Sequence, residues 1–178
     1  LPGLLVRSRD ASEGKNLIVV PGHPTFDDPL DDLVDESTYQ KGIALHLARK
    51  GYTVFAMGLR GFNTSSLSSE DFQARASMKL YSWHGFLVSD ALLLREHVAA
   101  KYQRPKNRIG FIGVSTGGAV SMFAGALADD VPFANITGFF GSFAYNLVQE
   151  FHSRSGNIAG ILNYFEMRDF LIAMAPQP

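Results

Sequence analysis

Cysteine is absent from the 178 residues. Disulfides, thiolate zinc sites and a cysteine nucleophile are therefore excluded. Long apolar runs are absent as well. No stretch approaches the roughly 20 residues that a bilayer-spanning helix needs, so no membrane span is expected. Neither sign of charge is in excess, with 16 basic residues against 17 acidic ones and a net charge of −1. That leaves no global pull towards nucleic acid or an anionic membrane. No repeat, low-complexity tract or interdomain linker interrupts the chain. No charged region followed by an apolar one opens it, so no signal peptide is visible and the compartment stays open. What is present is ordinary for a globular protein: 46% hydrophobic residues and 19% charged ones, enough for one domain, 1–178, with a sizeable core.

Apolar runs and turn chemistry divide the chain. Leu4 to Arg7 is expected to be a strand, and Asp10 to Asn16 a turn. Leu17 to Val20 (LIVV) is aliphatic throughout and stops at Pro21-Gly22, as a buried strand should. Thr25 to Glu36 is read as an acidic loop. Ser37 is expected to cap a helix from Thr38 to Lys50, with Tyr39, Ile43 and Leu47 on one face and Gly51 as its stop. Tyr52 to Met57 is the next strand, and Arg60 to Glu70 a polar loop. A long helix carries Trp83, Leu87, Ala91, Leu94 and Val98 on one face and ends before Pro105. Ile109 to Val114 (IGFIGV) is a strand, Thr116 to Asp129 a helix, and Ala134 to Phe140 a further strand. Ser155 to Asn163 is loop-like, and Tyr164 to Met174 is helical. Strands that alternate with helices, and that are apolar on every residue, imply an α/β fold with a mostly parallel sheet covered on both faces. Sites in such sheets form beyond the carboxyl ends of the strands. Two loops belong there, Pro21 to Asp28 and Gly113 to Gly118.

The second loop holds the clearest chemistry. Gly113-Val114-Ser115-Thr116-Gly117 fits G-x-S-x-G between a strand and a helix. A turn that sharp forces its central residue into a strained conformation and projects the hydroxyl above the sheet, and small neighbours make room for it. Ser115 is thus the candidate nucleophile, with Gly113 and Gly117 as the elbow glycines. The backbone N–H of Thr116 can point at a developing oxyanion, helped by the helix N-terminus. The alternative is a glycine-rich turn that packs or binds phosphate. A phosphate loop of the Walker type wants a lysine that this segment lacks, and the glycine spacing is not that of a dinucleotide fingerprint.

Pro21-Gly22-His23-Pro24 follows the neighbouring strand. Gly22 lets this loop bend over the serine, and the backbone N–H of His23 is the candidate second oxyanion donor. Pro24 has no N–H to give. The competing reading gives the His23 ring local hydrogen bonds only. His46, His84 and His97 lie on expected helices and read as structural or surface residues. His152, in FHSRSGN, reads as a wall or substrate contact of a pocket rather than the base of Ser115. A base must reach hydrogen-bond distance and be oriented by a third group. The six carboxylates between Phe26 and Glu36 lack the spacing and glycine of an EF-hand, and read as a solvated acidic loop. Trp83 reads as core. Phe139, Phe140, Phe143 and Tyr145 read as core or as pocket lining.

These segments carry a family resemblance. VVPGHPTFDD resembles the oxyanion loop of α/β-hydrolases in the branch around dienelactone hydrolase and acetyl xylan esterase. KGYTVFAMGLRGFNTSS resembles its GY-x-V-x-x-x-D-L-R-G-x-G-x-S segment. NRIGFIGVSTGGAVSMFAGAL resembles the nucleophile elbow with its helix, and YFEMRDFLIAMAPQP the approach to the strand before the catalytic acid. Gly58 stands in place of the family's aspartate, Asn63 in place of a glycine, and Pro21 where a histidine is common. The resemblance implies an eight-stranded, mostly parallel sheet and a Ser-Asp-His triad in that order. It places the aspartate and histidine beyond Pro178, and a first strand ahead of Leu1.

The resulting expectation is a serine hydrolase of small-molecule carboxylic esters, working through an acyl-enzyme with no cofactor and no metal. A peptidase, lipase or lactone hydrolase could use the same elbow. The rival from another class is a non-catalytic binding or scaffold protein that keeps the elbow without the base. The segment 1–178 alone is expected to be weakly active or inactive, since a serine without its base retains little beyond binding and the oxyanion hole. The acyl group, the alcohol and the oligomeric state are not specified.

Overall fold

The computed structural model describes residues 3–8, 16–25, 28–62, 68–148 and 158–175. Among them, five strands form one sheet in the order β1-β3-β2-β4-β5. The strands are β1 (Gly3–Arg7), β2 (Asn16–Val20), β3 (Thr53–Met57), β4 (Ile109–Val114) and β5 (Ala134–Thr137). β1 runs antiparallel to β3, and every other pairing is parallel. The expected α/β architecture is therefore the one observed.

Each residue of β2 and β3 is buried. Successive side chains of a strand point to opposite faces, and both faces are covered. Ile18, Val20, Phe55, Met57, Ile109 and Phe111 enter the larger core cluster with the helices α3 (Trp83–Lys101) and α4 (Thr116–Leu127). Val19, Val54 and Ala56 enter the smaller one with Leu33 and Ala44, the latter on α1 (Ile43–Arg49). Residues 116–125 of α4 are all buried, as befits an apolar helix wedged between the sheet and its neighbours. A fully buried guanidinium ties the base of this layer together. Arg95 donates to the carbonyls of Ile109, Lys106 and Asp130 and to the Asp130 carboxylate.

Several element boundaries differ from the sequence expectation, for identifiable reasons. The helix expected from Thr38 begins only at Ile43. Lys41 and Gly42 both adopt left-handed conformations, at φ 53° and 57°, which no helix tolerates in succession. Gly51, at φ 88°, does close the helix. The polar loop after Arg60 gives way to a helix, α2 (Ser69–Ser77), capped by the Ser68 side chain on the Asp71 N–H. β5 ends at Thr137, because Gly138 turns to φ 70°. A short helix, α5 (Phe143–Val148), follows. The last helix, α6 (Met167–Met174), starts later than expected, behind a capping box of Glu166 and Asp169. The turn expected over Asp10 to Asn16 lies, apart from Asn16, outside the described residues, and so do Asn63 and the elements expected around His152.

The strand order sets the site. From β2 the chain crosses to β3 on one side, then passes back over β2 to β4 on the other. The carboxyl ends of β2 and β4 are thus neighbours at the point where the winding reverses, with Val20 paired to Gly113. Ligand sites of open α/β sheets form at such reversals.

Candidate functional site

Ser115 sits between β4 and α4 with φ 55° and ψ −119°. An L-residue in such a conformation costs on the order of 1–3 kcal/mol, sustained by the surroundings. Those surroundings are backbone. The Ser115 N–H donates to the Thr137 carbonyl at 2.7 Å, and the Ser115 carbonyl accepts the first bond of α4 from Ala119. The glycines explain how the turn closes. A Cβ on Gly113 would lie 1.8 Å from the Gly117 carbonyl oxygen, and one on Gly117 would lie 1.9 Å from that of Val20. Neither position has room for any side chain. Ser115 is half-buried, and Thr116, the first residue of α4, is buried. The first bond of α4 begins at Ala119, so the N–H groups of Thr116, Gly117 and Gly118 have no acceptor within the helix. They add positive potential at the serine.

The loop after β2 lies directly against this turn. A Cβ on Gly22 would meet Ser115 Cβ at 3.1 Å, the Val114 carbonyl oxygen at 2.8 Å and the Tyr39 hydroxyl at 2.0 Å. The structure therefore brings Ser115, Thr116 and His23 together. The His23 ring is engaged as well. Its Nδ1 lies 2.9 Å from Thr116 Oγ1, and its edge packs on Phe62 and Trp83. Burial lowers its pKa, with the Glu70 charge opposing, and so favours the neutral ring. His152 lies outside the described residues.

Other histidines separate cleanly. His46 and His97 are exposed. His84 is buried behind the site among Trp83, Phe123 and Phe139, and neither ring nitrogen has a partner among the described residues. Burial, with a smaller contribution from His23, pushes its pKa down to about 4. Trp83 is core, as expected, with its indole N–H on the Arg60 carbonyl. The aromatics beyond β5 divide: Phe143 is core, while Phe140 and Tyr145 are exposed.

Three residues of this site were not legible as such in the sequence. The acidic segment is not uniformly solvated, because Asp32 is fully buried. Its Oδ2 accepts from the Thr25 N–H and hydroxyl, both at 2.8 Å, and from Gln40 Nε2 at 3.1 Å. Gln40 Oε1 in turn accepts from the Gly22 N–H at 2.9 Å. This network fixes the loop after β2 from below. Between the buried Thr38 and Gln40, Tyr39 projects outward, donates to the His23 carbonyl at 2.8 Å and lies beside Ser115 across Gly22. The place of Asp32 between Leu30 and Leu33 is a weak sequence hint of its burial, and Asp31, in the same place, is exposed. Nothing local announces Tyr39, which shares helical spacing with Ile43 and Leu47.

The fold has a counterpart among solved structures. It is that of a candidate acetyl xylan esterase from Bacteroides fragilis NCTC 9343. The two superpose with a TM-score of 0.72 at 15% identity, over 99% of this chain and 53% of that one. This chain thus spans about half the length of that structure. No family model matches the sequence, and no curated protein matches it. At this identity the likeness establishes an esterase-like fold and leaves the chemistry to the residues.

Among the described residues, no helix is long and apolar enough to cross a membrane, and no group of three or more His, Asp or Glu side chains is placed to hold a metal ion.

Proposed function

We propose that the chain carries the nucleophile of a serine hydrolase acting on small-molecule carboxylic esters. The observation behind this reading is the conformation of Ser115, φ 55° and ψ −119°, at the reversal point of the sheet. A turn that only had to pack would not need a strained serine between two glycines that admit no Cβ. The likeness in fold to a candidate acetyl xylan esterase supports an ester as the substrate class.

In this mechanism Ser115 Oγ attacks the ester carbonyl. The N–H groups of Thr116 and His23 receive the negative charge that develops on the carbonyl oxygen. Such preorganised donors contribute on the order of 10²–10³ each in turnover. A histidine oriented by an aspartate takes the serine proton and delivers it to the leaving alcohol, and water then releases the acyl group. The His23 ring is committed to Thr116 Oγ1; by the family resemblance the base, together with its aspartate, is assigned to sequence beyond Pro178. His152 is proposed as a pocket residue. If no base exists, the elbow serves a binding or scaffold protein instead.

The test is hydrolysis of p-nitrophenyl acetate by a chain that continues past Pro178, beside its Ser115→Ala variant. The variant should fall to the level of the oxyanion hole and binding alone. Equal turnover by the two proteins would refute the assignment of Ser115.

A further inference from the structure

We propose that Tyr39 is a further catalytic residue, whose hydroxyl donates a hydrogen bond to the oxyanion formed when Ser115 attacks. The proposal rests on the serine-hydrolase reading above. Its first support is position. The Tyr39 hydroxyl fills the space that a Gly22 side chain would take, 2.0 Å from the place of that missing Cβ, while Ser115 Cβ is 3.1 Å from the same point. The hydroxyl therefore lies on the side of Ser115 that faces the loop after β2, where the His23 donor is also assigned.

The second support is rigidity. Tyr39 itself is 49% exposed, yet its neighbours Thr38 and Gln40 are 2% and 4% exposed. Thr38 Oγ1 donates to the carbonyls of Asp32 and Asp35, and Gln40 bridges Gly22 and Asp32. A half-exposed ring is thus held over the nucleophile by two buried anchors, so its placement costs little at the moment of reaction.

The third support is chemical. Burial, and then the charge of Asp32, push the phenol up to about 12, against a smaller opposing effect of the nearby Ser115 hydroxyl. Tyr39 keeps its proton across the working pH range, which suits a donor and disqualifies a base. In the resting site the proton points at the neutral carbonyl of His23. As the Ser115 Oγ–carbon bond forms, the carbonyl π pair moves to oxygen and the serine proton goes to the base. The Tyr39 O–H then has a charged acceptor, and charge-assisted bonds are roughly twice as strong as neutral ones. Collapse of the intermediate breaks the bond to the leaving alcohol, which takes the proton from the base. Tyr39 ends each step with the proton it began with. A bond made only in the transition state raises turnover rather than affinity.

The experiment is a kinetic comparison of the full-length protein with Tyr39→Phe and Ser115→Ala. Tyr39→Phe should lower kcat about 10²-fold with KM nearly unchanged. Its affinity for an aryl trifluoromethyl ketone, which forms a tetrahedral oxyanion on the serine, should fall in parallel. A kcat within threefold of the parent overturns the proposal, and so does a lower kcat with unchanged ketone affinity, the signature of positioning alone. A Ser115→Ala variant without activity beside a fully active Tyr39→Phe refutes the tyrosine alone, whereas an active Ser115→Ala refutes the underlying reading and this proposal with it. A second measurement needs no variant. With ¹³Cζ-labelled tyrosine, the Tyr39 resonance should shift on ketone binding, and an unmoved resonance overturns the proposal.

Discussion

Replacing Gly117 by alanine is a severe test of the elbow, although alanine is the better helix former. A Cβ there would stand 1.9 Å from the Val20 carbonyl oxygen, 2.6 Å from the Val20 carbonyl carbon and 2.7 Å from the Pro21 oxygen. All three atoms are backbone, so no side chain can rotate away. The closest contact is about 1.5 Å short of an ordinary contact of 3.4 Å, and α4 and β2 must separate by a comparable distance. Overpacking of a tight interior costs about 1–3 kcal/mol, or somewhat more. Alanine returns at most about 1 kcal/mol through helix propensity, less in a first turn. The expected net loss is about 2 kcal/mol, which lowers the melting temperature by roughly 4–8 °C for a chain of this size. The same displacement moves Ser115 away from the Gly22 loop. A misplacement of about 1 Å can cost on the order of 10²-fold in rate. Thermal unfolding followed by circular dichroism, with ester hydrolysis on the same samples, measures both effects. A Gly117→Ala protein as stable and as active as the parent would refute the close approach of α4 to β2.

Two predictions concern pH. The folded pKa of His84, about 4, lies below its ordinary value of 6.5. Below pH 6.5 the unfolded chain therefore takes up a proton that the folded chain refuses, and stability falls as pH drops towards 4. The loss should reach about 2 kcal/mol by pH 5, and denaturant midpoints at pH 7 and pH 5 should show it in the parent but not in His84→Leu. Glu166 has the opposite character. Burial pushes its carboxyl up, but bonds from the Met167, Phe143 and Ala144 N–H groups and the Ser142 hydroxyl outweigh it and hold the carboxyl down to about 2. Its anchoring of α5 to α6 is present above the ordinary carboxylate value of 4.5 and is lost as pH falls through the folded value. The amide shifts of Phe143 and Ala144 should titrate with a midpoint near 2 and should be flat in Glu166→Gln; a midpoint near 4.5 would contradict the anchor.

The sheet was legible because burial on both faces leaves a local trace: LIVV and IGFIGV have no polar residue to hide. The elbow was legible for a related reason. The clash that keeps Gly113 free of a side chain comes from Gly117, within five residues, so the spacing itself records it, whereas the clash at Gly117 comes from the distant Val20 carbonyl and is not written locally. α1 was overextended because what unwinds Thr38 to Gly42 is not local. Gln40 is drawn to Gly22 and Asp32, and Thr38 to carbonyls of the acidic segment. The same long-range bonds carry Tyr39 to the serine, where helical spacing had placed it on an apolar stripe. α2 left a trace that composition obscured. Its first turn has a Ser-x-x-Asp cap, Ser68 to Asp71, inside a run of serines that otherwise reads as loop. Asp32 shows the limit most clearly, since six neighbouring carboxylates look alike until the fold buries one of them.

The central claim is that Ser115 is a nucleophile activated by its setting. The most direct measurement is reaction of a chain extending past Pro178 with a fluorophosphonate ester, followed by mass spectrometry of the digested protein. Rapid, stoichiometric phosphonylation of Ser115, abolished in Ser115→Ala, is the predicted result. An unmodified Ser115, or an adduct on another residue that persists in Ser115→Ala, would contradict it.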